Sequence, residues 1–306
     1  MNPLALLRAM RPHQWSKNVF VLAALVFAAA DTSGQLVIGA DEVKRVCLAF
    51  IAFSLMASAV YLFNDVLDVE ADRQHPKKKK RPIASGEVRV WVATLVAAIC
   101  FVGAVLLGFT LGTWPANVAM ILLIYATVNL AYSLWLKHIV LLDAFCISSG
   151  FVLRVIAGGY AAEAEISHWM LLCTLFLSLF LALNKRRAEI ALLGDDGGKH
   201  RAILKDYTLG FLDQMTSVLA ACTIVCYTMY TVDPDTAAKF GESNKLVWTV
   251  PFVAFGVGRY MYLVEGQKGG GNPTRIFLGG DPVFLVNTLG WGVTVLVILY
   301  RSPLGG

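Results

Sequence analysis

Eight stretches of this chain, and a weaker ninth at its start, each approach the ~20 predominantly apolar residues needed to cross the hydrocarbon core of a bilayer. They fall at 18–36, 46–64, 91–112, 115–135, 139–161, 167–184, 212–232, 246–264 and 282–300. In lipid every backbone N–H and C=O needs a partner within the protein, and a helix supplies those partners segment by segment. The fold expected is therefore all-α and integral to a membrane, with nine transmembrane helices in a single domain over 1–306. Two larger polar stretches, near 65–90 and 185–211, are the only ones long enough to build a cap. The low charged fraction of 15%, against about 25% in soluble domains, agrees with this class. The first segment is the weakest, because Val19–Ala30 is short and Asp31 follows it. Cations before a short apolar run also fit a cleaved leader. Eight further spans, and the alternation of loop charge, favour its retention.

With the N-terminus placed inside, twenty of the 26 lysines and arginines fall in inside positions, five fall outside, and Arg154 lies within a span. That bias orients the N-terminus to the cytoplasm and makes the chain a multi-pass protein of the cell (inner) membrane. Trp15, Trp91, Trp114, Trp135, Trp169 and Trp248 lie near segment ends, where an interfacial aromatic belt is expected. The net charge of +5 does not point to nucleic acid, since the cations sit in short loops between apolar runs and no nucleic-acid motif occurs. The six cysteines lie inside apolar stretches with no CxxC pair, and are expected to be buried free thiols. Glycine clusters at 194–198 and 269–273 lack a strand and GK[ST] context and read as turns.

The richest chemistry lies where the second span ends. In the run Asn64-Asp65-Val66-Leu67-Asp68-Val69-Glu70-Ala71-Asp72, the residues Asp65, Asp68 and Asp72 fall at i, i+3 and i+7. On a continuing helix they form one stripe. Three carboxylates so close repel one another unless a divalent cation neutralises them. Magnesium takes hard oxygen ligands, usually one or two carboxylates completed by water and substrate phosphate oxygens. Lys77 to Lys80 and Arg81 follow directly. Most of that run serves topology and anionic lipid headgroups, while Arg81, fixed before Pro82, is the member expected to contact substrate. Together these groups suit a magnesium-bound diphosphate at the membrane surface.

Other candidates lie elsewhere. Arg154 stands in mid-span, where a charge costs several kcal/mol unless it meets a polar cavity or partner; it reads as a phosphate anchor or a buried structural pair. Asp143, eleven residues earlier, is expected on the same wall. Tyr132 and Lys137 lie in YSLWLK at a short inside turn. Lys17 belongs to a polar group with Arg11, Gln14, Trp15 and Asn18 before the first span. Lys185, Arg186 and Glu189 follow the sixth span, with Lys185 and Glu189 spaced for an i, i+4 ion pair. Asn64 and Asn184 both open charged inside loops, 120 residues apart, as a degenerate repeat of a four-helix unit would place them.

NDVLDVEAD fits the pattern N-D-x-x-D-x-x-x-D, and with the nine spans and YSLWLK it makes the chain resemble the UbiA superfamily of intramembrane prenyltransferases. The resemblance covers nearly the whole chain. It implies a helical bundle around a central lipid-accessible cavity, with Mg2+ on Asp65, Asp68 and Asp72 and substrate contacts from Asn64 and the basic residues above. The family's second aspartate-rich signature is absent, and NKRRAEI stands in its place. RPHQWSKN, HPKKKKRPIASGEV and LRVIAGGYAA resemble the branch that moves 5-phosphoribose from phosphoribosyl pyrophosphate to a polyprenyl (decaprenyl) phosphate, releasing diphosphate. By resemblance the product feeds cell-wall arabinan precursors. Phosphoribosyl pyrophosphate, the polyprenyl phosphate and membrane lipids are thus the expected partners, with homo-oligomerisation open. An isoprenoid transfer to an aromatic acceptor, and anion transport, are the alternatives.

Overall fold

The computed structural model describes residues 3–23, 25, 39–76, 78–112, 117–193, 202–239, 245–266 and 280–301. Among the described residues no strand occurs, and one isolated bridge joins Gly112 to Asn117. In chain order the helices are α1 (Pro3–Met10), α2 (Ala40–Leu67), α3 (Val69–Gln74), α4 (Val90–Phe109), α5 (Val118–Leu134), α6 (Leu142–Ala162), α7 (His168–Leu193), α8 (Leu209–Val232), α9 (Pro234–Lys239), α10 (Val250–Gly266) and α11 (Pro282–Arg301). Among the described residues six helical stretches are long and apolar enough to cross a membrane, and α5 and most of α11 are shorter apolar helices. These eight coincide with the second to ninth expected spans. The described part of the first is a 3₁₀ helix, Pro12–Leu22, and most of the rest of that span lies outside the described residues.

Two boundaries differ from expectation. α2 begins at Ala40, its first turn holding Asp41 and Glu42, whose charges complement the positive end of the helix dipole. α7 runs on past Asn184 to Leu193, so the start of the expected 185–211 loop is helical. Lys185, Arg186, Arg187, Ala188 and Glu189 are all good helix formers, and no glycine intervenes before Gly194.

The chain groups into two compact units. One takes α1, the 3₁₀ segment, α2 to α5 and α6 from Leu153; the other takes α6 up to Val152 and α7 to α11. In the first, α2 packs chiefly against α4 across the charged loop that joins them. One apolar cluster is built around Phe53, Met56, Leu122 and Ala157, and a second around Ala5, Ala9, Leu62, Ile83, Val88 and Ala93. α4 and α5 approach closely at Gly108, where an added Cβ would lie 2.8 Å from the Ala119 backbone. Small residues at such crossings let helix backbones meet in lipid. In the second unit α7 packs chiefly against α8, and α8 and α10 close the core around Phe180, Leu212 and Tyr260. The Tyr227 hydroxyl there lies 2.7 Å from the Thr249 hydroxyl and accepts from the Trp291 indole at 2.8 Å.

Large apolar side chains also point outward, among them Ile99 (61% exposed), Leu106 (63%) and Val286 (69%). Such faces would be an aggregation liability in water and are ordinary against acyl chains. All six cysteines are free thiols, but only Cys100 and Cys226 are buried, and Cys47, expected to be buried, is exposed.

Candidate functional site

The acidic stripe survives folding almost intact. α2 ends at Leu67 and α3 begins at Val69, with Asp68 between them at φ −89°, ψ 6°. The Asp68 N–H still donates to the Asn64 carbonyl at 3.0 Å, and the Asp72 N–H to the Asp68 carbonyl at 2.8 Å. Asp65 and Asp72 are 4% and 1% exposed. Asp68 is half-buried, and among the described residues nothing pairs with its carboxylate.

The loop after α3 returns over this stripe because Ile83 and Val88 bury themselves with Leu62 and Ala93. That anchoring carries Arg81 onto the acids: one guanidinium nitrogen donates to Asp72 Oδ2 at 2.6 Å and to Asp65 Oδ1 at 3.1 Å. Lys78 Nζ stands 3.7 Å from Asp72 Oδ1. Lys77 lies outside the described residues.

A second arginine arrives from the N-terminus. α1 buries Ala5 and Ala9 in the same cluster and ends at Met10. Arg11 follows in the left-handed region, φ 55°, ψ 58°. Helices often close with a residue in that conformation, but it is usually glycine. Its guanidinium donates to Asp65 Oδ1 at 2.6 Å and lies 4.8 Å from the centre of the Tyr61 ring. The sequence places Arg11 only in a polar N-terminal group, since nothing local reveals a partner 54 residues away. Its one signal is position, directly before Pro12 at a helix end.

Asp65, Asp68 and Asp72 offer hard carboxylate oxygens, the donor type that suits magnesium. Two oxygens of this set already accept from arginine, while Asp68 and Asp65 Oδ2 have no partner among the described residues. Among those residues no group of three or more His, Cys, Asp or Glu side chains is drawn together as a metal cage. As placed, the three carboxylates do not by themselves form such a cage.

Arg154 is 5% exposed. Its Nε donates to Asn18 Oδ1 at 2.8 Å, Nη2 reaches the Tyr125 hydroxyl at 3.3 Å, and the guanidinium lies 4.9 Å from the Tyr125 ring and 5.3 Å from Phe53. Asn18 in turn donates to Ser54 at 2.9 Å, and Trp15 donates to Ser58 at 3.1 Å. The tryptophan expected at the interface thus tethers the 3₁₀ segment to α2. Lys17, on the outer side of that segment, is exposed.

The basic run after Asn184 divides by helix face. Lys185 is exposed, whereas Arg186 is 2% exposed and donates to the fully buried Asp143 at 3.0 Å. Arg186 also meets Glu189 at 3.4 Å, so Glu189 pairs at i, i+3 with Arg186 rather than at i, i+4 with Lys185. Tyr207 donates to Asp143 at 2.7 Å and accepts from the Leu141 N–H at 2.8 Å. Burial, then the Asp143 bond, pushes the Tyr207 phenol well above its ordinary pKa, so it stays a donor at neutral pH. Asp143 belongs with this cluster in the second unit and Arg154 with the first. Tyr132 and Lys137 are half-buried on either side of the turn after α5.

Asn64 lines the end of an apolar cavity of about 390 Å³. Val60 and Phe63 of α2, Phe101 of α4 and Leu130 of α5 form much of its wall. Asp68 follows Asn64 by one helical turn. Asn64 thus belongs both to the lining of this cavity and to the run that carries the acidic stripe.

The UbiA prenyltransferase family model matches residues 18–187. Decaprenyl-phosphate phosphoribosyltransferase of Mycolicibacterium smegmatis is 39% identical over 301 residues, spanning 97% of this chain and 93% of its own. The protein of the same name from Mycobacterium tuberculosis is 38% identical over 292 residues, spanning 94% and 92%. The solved structure of a UbiA homologue from Archaeoglobus fulgidus bound to GPP and Mg2+ superposes with a TM-score of 0.69 at 14% identity, over 97% of this chain and 98% of that one.

Proposed function

The chain belongs to the UbiA prenyltransferase family, and from that footing we propose that it transfers 5-phosphoribose from phosphoribosyl pyrophosphate to a polyprenyl phosphate, releasing diphosphate. The observation that carries this reading is the identity, over nearly the whole chain, to proteins named decaprenyl-phosphate phosphoribosyltransferase. The basic NKRRAEI in place of a second acidic signature supports it, because this donor brings a 5-phosphate as well as a diphosphate. The structural relative that binds Mg2+ supports a divalent ion in the family fold.

Asp65, Asp68 and Asp72 would hold the ion. When bound, magnesium draws charge from the departing diphosphate. Arg81 and Arg11 stand where they can take phosphate oxygens, and a planar guanidinium suits that task. Asn64 and the apolar cavity beside it suit the head and the first isoprene units of the lipid. The attacking phosphate monoester is already anionic at neutral pH, so no general base is assigned, and the protein's part is positioning and charge stabilisation. Lys17, Tyr132, Lys137, Lys185 and Glu189 remain assigned to substrate by residue type. Arg154 and Arg186, each held by its own buried partners, set the local architecture first. The orientation proposed puts the N-terminus and the active site on the cytoplasmic side, where the soluble donor is made. One transmembrane domain over 1–306 is part of the same reading.

Membranes carrying the protein are incubated with ribose-labelled phosphoribosyl pyrophosphate, polyprenyl phosphate and magnesium. Label in the lipid phase is expected. No label there, with transfer from an isoprenoid diphosphate to an aromatic acceptor instead, would replace this reading with the ordinary prenyltransferase one.

A further inference from the structure

Asp65 Oδ1 accepts from two arginines at once, Arg11 at 2.6 Å and Arg81 at 3.1 Å, while Arg81 also holds Asp72 at 2.6 Å. A magnesium ion bonds carboxylate oxygen at about 2.1 Å. A dication so near two guanidinium groups, on a carboxylate 4% exposed, meets strong repulsion that little water screens. Taken alone, then, the acidic stripe is a poor trap for a bare cation. An anion that enters with the cation reverses the balance, because the arginines can exchange carboxylate oxygens for phosphate oxygens.

Arg11 is built for that exchange. Its backbone stays in the left-handed region, which costs a non-glycine residue strain. Pro12 fixes the chain after it, and the Trp15 and Asn18 tethers to Ser58 and Ser54 fix it further on. The side chain is meanwhile only partly exposed, 23%, and rests on Tyr61. The guanidinium can therefore turn from carboxylate to phosphate without the backbone moving.

We propose that Arg11, together with Arg81, locks the acidic stripe in the absence of substrate and becomes a diphosphate ligand when substrate binds, so that the metal enters with the diphosphate and not before it. This rests on the assignment of Asp65, Asp68 and Asp72 to magnesium. It makes Arg11 a further substrate-binding residue. It also makes the site select a metal–diphosphate complex over either component.

The test uses the purified full chain in detergent, with Mn2+ as a spectroscopic stand-in for magnesium and inorganic diphosphate as the anion. Electron paramagnetic resonance reads free Mn2+ directly, without turnover, and the Mn2+ taken up by diphosphate alone, measured in a protein-free titration, is subtracted. For the wild type, bare Mn2+ should bind weakly, and diphosphate should tighten it at least tenfold. Arg11→Gln should tighten bare Mn2+ about tenfold and lose most of the gain from diphosphate, whereas Arg11→Lys, which keeps the charge, should retain part of it. Equal Mn2+ affinity with and without diphosphate in the wild type overturns the proposal whether or not the variants fold. So does an Arg11→Gln protein, melting as the wild type does, whose two affinities match the wild type's. Because the probe contains neither ribose nor lipid, the coupling can hold even if phosphoribosyl transfer fails, and the two results are read separately.

Discussion

Asp68 and Asp72 share a stripe but not a fate, and the difference separates chemistry from folding. Asp68 is half-buried and unpaired among the described residues, so Asp68→Asn should leave thermal stability within about 0.5 kcal/mol, as surface substitutions do. Turnover should fall by about 100-fold or more, because a proposed ligand to the ion is lost. Asp72 is 1% exposed and bound to Arg81. Asp72→Ala should therefore cost about 1–3 kcal/mol of stability as well as activity, its partner being partly open to solvent. Melting curves beside lipid-labelling rates distinguish the two; an Asp68→Asn protein that melts early, or turns over normally, contradicts the assignment. Residue spacing was enough to expose this stripe in the sequence. It was not enough for Arg11, whose partner lies 54 positions away, nor for Arg186, where only the folded chain shows which face of α7 meets Asp143.

At the scale of elements, apolar segment length was the most legible signal, since the bilayer imposes it and eight of nine expected spans are helices. Ends were less legible. Helix-forming residues carry α7 beyond the span that hydropathy marks, and the described start of the first expected span lies in a 3₁₀ helix, Pro12–Leu22. The close approach of α4 to α5 rests on a glycine, Gly108. Gly108→Val should drive a side chain into the Ala119 backbone and cost about 1–3 kcal/mol or more through overpacking, read as a lowered midpoint in detergent melting. The start of α6 and the end of α7 are joined by the Asp143–Arg186 pair, both members buried, with Tyr207 bridging to Leu141. Asp143→Ala leaves a buried guanidinium with only Glu189 among the described residues and should cost about 3–5 kcal/mol. Tyr207→Phe removes one bond to each neighbour and should cost about 1–3 kcal/mol. If Asp143→Ala melted no lower than Tyr207→Phe, the pair would not be the tie described here.

For the whole molecule, composition and apolar segment length implied an all-helical membrane protein, and the resemblance carried by NDVLDVEAD, RPHQWSKN, HPKKKKRPIASGEV and LRVIAGGYAA implied the reaction class. The relatives support that class along nearly the full chain. Substrate roles for individual cations were not legible, because topology places lysine and arginine on the inside whether or not a ligand needs them. The claim on which the rest depends is that carboxylates at the end of α2 hold a divalent ion that makes the donor's diphosphate leave. It is tested most directly by following label from phosphoribosyl pyrophosphate into polyprenyl phosphate with the purified protein in lipid vesicles, with magnesium and then with excess chelator. The account predicts labelled lipid that disappears on chelation, returns when magnesium is restored, and does not form with Asp68→Asn. Transfer that continues undiminished in chelator would contradict it.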